Sequence, residues 1–306
     1  PQGRVSTSNP HCFPVPVDYL MAAPNQKRDL TVATATAGGY LVATETASFI
    51  ELLRNRSVLM TLGAERMTGM VGNFTIPRQT ASATNYWLST EATQITESQP
   101  VFGQIAFSPK TAGASTEISR QLLLQSTPSA EELVRKDLAA TVALAVDLAG
   151  LNGSGASGQP TGLLNVSGIG AVTGTSIDYA KTLEFQSDVA ASNALSASCA
   201  YVCPPATATL LKQRQRFAST DSPLWSGNLY EGQVEGFRAM SSNQIPTGTV
   251  IFGDWTQMII AEWGELSLQV NPFTNFQAGI YGVRAMYTVD VGVRYPGAFS
   301  IATSVT

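Results

Sequence analysis

The one glycine pattern in this chain that could cradle a phosphate is Gly153-Ser154-Gly155-Ala156-Ser157-Gly158, with Asp178 twenty residues further on. Read literally it is G-x-G-x-x-G followed by an acidic ribose partner, the dinucleotide fingerprint. That chemistry needs a strand before the glycines and a helix after them, so that the helix N-terminus faces the pyrophosphate. Here a helical segment comes before, Gln159-Pro160-Thr161-Gly162 comes after, and no lysine follows as in a P-loop. The order of elements argues against a nucleotide site.

Other reactive residues do not converge. The single histidine, His11, lies beside Cys12 in a proline-rich stretch, with no third group or rigid scaffold to make a nucleophilic pair. The carboxylate pairs Glu131/Glu132, Glu262/Glu265 and Glu91/Glu97 have ordinary explanations. The first sits in the first turn of a predicted helix, where the helix dipole favours acid. Cys199 and Cys203 fall on one predicted strand about 13 Å apart, too far to bridge. They read as small buried hydrophobes, and one histidine with scattered cysteines gives no zinc spacing. Lys212, Arg214 and Arg216 form a short basic run that reads as a solvated or inter-subunit face. The expectation is no enzyme, no cofactor and no metal.

The elements around these residues are legible. Ser129 and Glu132 form a capping box for a long helix, with Leu133, Leu138, Val142, Ala145 and Leu148 at helical spacing. At about 1.5 Å per residue it spans about 33 Å, and Gly150, Gly153 and Gly155 end it. Residues 1–42, with Pro10, Pro14, Pro16 and Pro24, read as an extended arm, and Glu45–Arg54 as a short helix. Between Phe74 and Ile118 the segments FTIPR, TNYWL, GQIAFSP and ASTEIS read as strands flanking a polar tip at Ser89–Pro100. They predict a long β-hairpin projecting about 60 Å. An isolated two-stranded ribbon is marginal in water, so such a hairpin should lie on a neighbour. The second half alternates strands and helices, and the tail YGVRAMYTVDVGVRYPGAFSIATS has strong period-2 alternation. The fold class expected is α+β.

The chain has 306 residues, of which 44% are hydrophobic and only 13% charged, about half the usual share of roughly 25%. A large chain so poor in charge is expected to meet other protein over much of its surface. Its net charge of −4 and pI near 5.1 argue against a dedicated nucleic-acid binder. No signal peptide pattern is visible. The longest apolar run, Leu138–Val146, is too short to span a membrane, so no membrane partner is expected. Pro1 at the first position is expected of a processed chain, or of numbering that starts within a longer precursor.

The order of motifs carries a resemblance. An arm ending in AGGYLV is followed by RNRSVL, by FTIPR…YWLSTEATQITES, and by ASTEISRQLL leading into the long helix. Then come LNGSGASGQPTGLLN, CAYVCPPATATLLKQ, GFRAMSSNQIP and VIFGDWTQMIIAEW. From about Arg28 onward this resembles the tailed-bacteriophage major capsid proteins of the Hong Kong 97-like (Johnson) fold. The resemblance implies an N-terminal arm at 1–42 and an extended loop at 74–118 lying on a neighbouring subunit. It implies a peripheral domain at 43–73, 119–166 and 279–306 with the long helix as its spine, and an axial domain at 167–278. It further implies self-assembly as pentamers and hexamers into an icosahedral shell around double-stranded DNA, held without sequence preference. Portal, scaffold or maturation protease, and a decoration protein, are the other partners it implies, with assembly in the host bacterial cytoplasm and residence in the virion.

The inter-subunit contact candidates are Tyr86, Trp87, Glu91, Ile95, Glu97 and Phe102 on the loop, with Arg54, Arg56, Arg78, Trp225 and Tyr230 elsewhere. Some members of this family cross-link their shells through a loop lysine, a neighbour's asparagine and a glutamate. This chain has no lysine between Lys27 and Lys110, and no glutamate in the segment after Asn275, where the asparagine would lie. A non-covalent shell is therefore expected. Two other readings are an encapsulin-type cellular compartment of the same fold, and a secreted β-rich hydrolase or binding protein.

Overall fold

The computed structural model describes residues 57–88, 94–125, 130–217 and 219–306, together with Leu52, Arg54, Asn55 and Thr90. The chain divides into two compact units, Pro1–Leu52 and Leu53–Thr306, and the described fold is that of the second. The expected arm, most of the expected helix Glu45–Arg54, and His11, Cys12, Arg56, Glu91 and the capping Ser129 lie outside the described residues.

The strands are β1 (Glu65–Met67), β2 (Phe74–Ala81), β3 (Val101–Phe107), β4 (Lys110–Ser119), β5 (Gly170–Thr173), β6 (Cys199–Cys203), β7 (Trp225–Gly227), β8 (Glu231–Val234), β9 (Phe237–Ser241), β10 (Val250–Asp254), β11 (Met258–Glu262), β12 (Ser267–Asn275), β13 (Ile280–Val293) and β14 (Phe299–Thr303). The helices are α1 (Arg120–Gln125), α2 (Ala130–Asn152), α3 (Tyr179–Ala191) and α4 (Pro205–Gln213).

Seven strands form one mixed sheet in the order β5-β14-β10-β6-β9-β8-β7. Its centre reads as continuous apolar runs, CAYVC and VIFGD, because both faces are covered. Along β6 the alternation is visible: Tyr201 packs with Phe185 of α3 and Leu211 of α4, while Ala200 and Val202 join Leu151, Leu163 and Trp255 on the other side. Pro204 and Pro205 start α4, and Asp178 caps α3 by accepting from Lys181 N at 3.0 Å. The acid twenty residues after the glycines is thus a helix cap.

The second sheet is built on β13. Its residues 280–289 pair antiparallel with β4 on one side; on the other, β12 and then β11 pair with successive stretches of it. β1 adds to β11 in parallel. The segment expected to continue from VIFGDW does so, but it crosses between sheets: β10 belongs to the first and β11 to the second. The tail likewise serves both, with β13 in the second sheet and β14 in the first. Strand pairing therefore departs from the expected boundaries. Position 278/279 falls in the turn of the antiparallel pair β12–β13, and β14 pairs with β10 and β5 rather than with the strands grouped with it.

The long helix is α2. Glu131 and Glu132 occupy its first turn, and Leu138, Val142, Asp147, Gly150 and Leu151 are its buried residues. Leu148, expected on the core stripe, is instead exposed. The helix ends where the chain doubles back: Gly153 N bonds to Ala149 O, Gly162 N to Gly153 O, and Ser154 bridges Thr161. A Cβ on Gly153 would lie 2.3 Å from Pro160 O, and one on Gly162 would lie 2.2 Å from Gly153 N. Close backbone packing explains these glycines, and a short 3-10 turn at Leu163–Asn165 follows them where a nucleotide site would need a helix.

Candidate functional site

The most exposed apolar surface of the described chain lies on the β2–β3 hairpin. Its ladder runs from Phe74↔Phe107 to Ala81↔Val101, with a register shift between Gln79 and Ala81. Eight residues of β2 at about 3.3 Å each give a paired ribbon of about 26 Å, shorter than the expected projection. Two things shorten it. TNYWL forms no ladder, and β4 leaves the hairpin to join β13. Beyond the ladder the two chains touch through Ser98, whose Oγ accepts from Thr84 N at 2.7 Å.

Root and tip differ sharply. At the root Phe107 is buried and packs with Ile259 and Ala261, joined by Phe74, Ile76 and Ile105. Towards the tip Trp87 is 93% exposed, Phe102 67% and Ile95 59%, with Tyr86, Leu88 and Val101 also exposed. Monomeric soluble proteins rarely leave such a run of large apolar groups in water, and a ribbon of this kind has no core of its own. Four of the predicted contact residues, Tyr86, Trp87, Ile95 and Phe102, are thus brought together on one projecting element, with Glu97 exposed beside them.

Elsewhere the predicted contacts fare differently. Trp225 is fully buried, with its Nε1 donating to Asn228 O at 2.8 Å. It is a core residue of the first sheet, so its side chain is closed to a neighbouring subunit. Arg54 is held by Asp137 and by Thr141 Oγ1 on α2, and Arg78 donates to Arg294 O at 2.9 Å. Both serve the subunit's own fold. Tyr230 is half-exposed at 41%. The basic run is also spent internally: Lys212 donates to Gly227 O at 2.6 Å, Arg214 to Thr306 O at 2.8 Å, and Arg216 pairs with Glu235 at 2.8 Å.

Sequence reasoning passed over a second exposed set: Val270 and Phe273 on β12, and Leu122 and Leu124 on α1. The alternation of LSLQV reads as a strand with one covered face. No sequence signal says that the cover, α2, packs instead against β4 and β13 through Leu138, Val142, Ile118, Val283 and Ala285.

Among the described residues, the buried carboxylates Glu262 and Asp147 are paired or hydrogen-bonded within the fold. Glu262, one of the carboxylates considered above, receives Arg66 Nε and Nη2 at 2.7 Å each. Burial pushes its carboxyl up, but hydrogen bonds from Arg66 and Tyr287, with the charge of Arg66, outweigh this and hold it below the usual carboxylate range. Burial and the hydrogen bond to Glu262 push the Tyr287 hydroxyl up to about 12. These groups line an open trough of about 700 Å³ beside Ala139 and Ala143 of α2. Asp147 of α2 accepts from Ser57 Oγ, Val58 N and Leu59 N at 3.0 Å each and so ties that turn to the helix. Its burial raises its carboxyl above the ordinary value despite those donors. Cys199 and Cys203 are free and buried. Among the described residues no group of His, Cys, Asp and Glu could hold a metal, and no helix is long and apolar enough to cross a membrane.

Comparison with known proteins agrees with the geometry. The Phage capsid family profile matches residues 38–304. The chain is 35% identical over 272 residues to the major capsid protein of Halomonas phage phiHAP-1, covering 88% of this chain and 44% of that one. It is 24% identical over 322 residues to the major capsid protein of Klebsiella oxytoca phage phiKO2, covering 92% and 72%. The chain therefore spans less than half the length of the first of these relatives. Among solved structures, the capsid of a native GTA particle superposes with a TM-score of 0.72 at 20% identity, over 90% of this chain and 100% of that one. A chain from Gordonia phage Cozz superposes at 0.69 and 17% identity, over 89% and 94%. At those identities the likeness shows the fold, which is the Hong Kong 97-like capsid fold expected from the motifs.

Proposed function

The chain belongs to the phage capsid family, and from that premise we propose that it is the major capsid protein of a tailed phage. It self-assembles as pentamers and hexamers into an icosahedral shell enclosing double-stranded DNA in the virion. The observation that carries this reading is the hairpin: a strip of exposed aromatic and aliphatic side chains on a ribbon that cannot bury them itself. A shell supplies the missing cover through heterologous contacts repeated by symmetry. In this reading the sheet on β13, with α2 as spine, is the peripheral domain, and the seven-stranded sheet is the body of the axial domain. The curated relatives are named as phage capsid proteins, which favours the phage form over a cellular compartment.

Two finer features belong to the same reading. DNA meets the wall weakly, in a salt-sensitive way and without sequence preference. The net charge of −4 supports this, as do the ion pairs within the chain that take up seven described cations. The shell is held without covalent links. The first lysine after the hairpin, Lys110, is already ion-paired with Asp290 at 2.8 Å, and none precedes it back to Lys27. Scaffold, maturation protease, portal and decoration protein are the partners such a shell requires or admits during assembly in the host cytoplasm.

Electron microscopy of the expressed protein tests the reading. Hollow particles built of five- and six-fold rings are the expected result, and a monodisperse monomer across a wide concentration range contradicts it. Boiled, reduced particles should give one band near 32 kDa. A ladder surviving that treatment would show a covalent link.

A further inference from the structure

Two alternate residues of β13, Asp290 and Gly292, and the backbone of Arg294 just past its end hold the root of the hairpin. Positions 290 and 292 share one face, because side chains alternate along a strand. Asp290, only 2% exposed, accepts from Ser108 N at 2.9 Å and from Lys110 Nζ at 2.8 Å. Those two donors flank Pro109, the corner at which the chain leaves the ribbon strand β3 and enters the sheet strand β4. Gly292 meets the Phe107 ring: a Cβ there would lie 2.6 Å from Phe107 Cε1. The carbonyl of Arg294 accepts from Arg78 on β2, the other strand of the ribbon. Both strands are thus fastened to one short stretch at the C-terminal end of β13.

The chemistry of this stretch is not what an ordinary strand needs. Burying a carboxylate is costly unless it is paired and hydrogen-bonded. Asp290 meets the requirement with the corner's donors as well as its neighbour's Val291 N at 2.9 Å. Glycine weakens a strand relative to alanine, and at 292 the absence of a side chain lets an aromatic ring lie against the sheet. The lever is long. A tilt of about 10° at the root of a ribbon about 26 Å long moves its end by about 4–5 Å, enough to lose a packed contact.

We propose that residues 290, 292 and 294 form a positioning seat that fixes the direction in which the hairpin leaves the subunit, and with it the angle between neighbouring subunits, Asp290 being the positioning residue. The proposal rests on the capsid reading above and goes beyond it, since it assigns the geometry of assembly to residues that need touch no neighbour.

The test compares particles of the parent chain with those of Asp290→Asn, Lys110→Gln, and Gly292→Ala with and without Phe107→Leu. Particle closure and diameter are read by electron microscopy, and subunit folding by thermal melts. Asp290→Asn should leave a folded subunit while cutting the yield of closed, uniform particles about tenfold or more, the scale of one hydrogen bond to a charged group. Lys110→Gln, altered at a partly exposed side chain, should do so less strongly, and it carries the same test if Asp290→Asn does not fold. Gly292→Ala should give irregular particles, and adding Phe107→Leu, which removes the ring it strikes, should restore uniform ones. Folded variants that match the parent in yield and diameter overturn the seat, as does a Gly292→Ala defect that Phe107→Leu leaves unrelieved. A parent chain that forms no particles overturns the capsid reading and the seat's role with it, whereas parent particles with unaltered variants overturn the seat alone.

Discussion

The seven-stranded sheet and the β2–β3 hairpin follow opposite rules. In the sheet every residue of β6 and β10 is buried, Trp255 stacks edge-on to Phe299 and donates to Ala200 O at 3.0 Å, and helices α3 and α4 close one face. In the hairpin only the root is buried, and large apolar side chains face water along the rest. One region completes its core within the chain and so behaves as a folding unit. The other is complete only when a neighbour covers it, so its residues are expected to govern assembly rather than subunit stability. This division explains how a chain can be so poor in charge and still fold.

The largest effect that separates the two regions is Trp255→Ala. Removing a fully buried indole that also makes a hydrogen bond should cost about 3–5 kcal/mol of subunit stability, read by chemical denaturation. A loss under about 1 kcal/mol would mean that the two sheets are not joined through that core.

Next in size is Glu262→Gln, which breaks the paired contact with Arg66 and should cost about 1–3 kcal/mol at neutral pH. The effect has a defined pH dependence. Because the folded carboxyl is held below its ordinary value, its stabilisation is present above the usual carboxylate range and is lost as pH falls through the lowered value. Stability curves of parent and variant should converge in acid; curves that stay parallel would show that the carboxylate's charge is not the source.

The smallest effect on folding should come from Trp87→Ala. With the side chain 93% exposed, subunit stability should change by no more than about 0.5 kcal/mol. Shell assembly should weaken by about 2 kcal/mol per contact or more, as for an aromatic anchor at an interface. A variant that lost subunit stability but assembled normally would reverse the comparison. Cys199 and Cys203 sharpen it without mutation: both are buried, and burial raises the Cys203 thiol far above its usual range; their burial should make both resist a thiol reagent until the subunit unfolds.

How much of this was legible in the sequence follows the same division. Local rules placed the self-contained parts well: CAYVC as a buried strand, Pro204-Pro205 as a helix start, and the long acidic-started helix with its glycine stop. They failed where a distant partner decides. Period-2 alternation in TNYWL reads as a strand, yet it forms no ladder: the stretch opposite, which it touches through Ser98, is not a strand. Trp225 was a plausible contact by residue type, but its burial depends on pairing with β8 and on packing against α4, which residue type does not reveal. The division of the tail between two sheets could not be read either, since alternation marks a strand without naming its neighbour. The paired ribbon from Phe74 to Phe107 was legible because strand-like segments on either side of a polar stretch are a local property.

The central claim, that the hairpin's distal part belongs to assembly and not to folding, is tested most directly by replacing residues 82–100 with an Asn-Gly turn. That turn joins Ala81 to Val101, which already face each other in the ladder. The shortened chain and its parent are compared by thermal melting and by electron microscopy. An unchanged subunit melt with no closed shells is the expected result. Shells of the parent's size from the shortened chain, or a subunit that no longer folds, would contradict it.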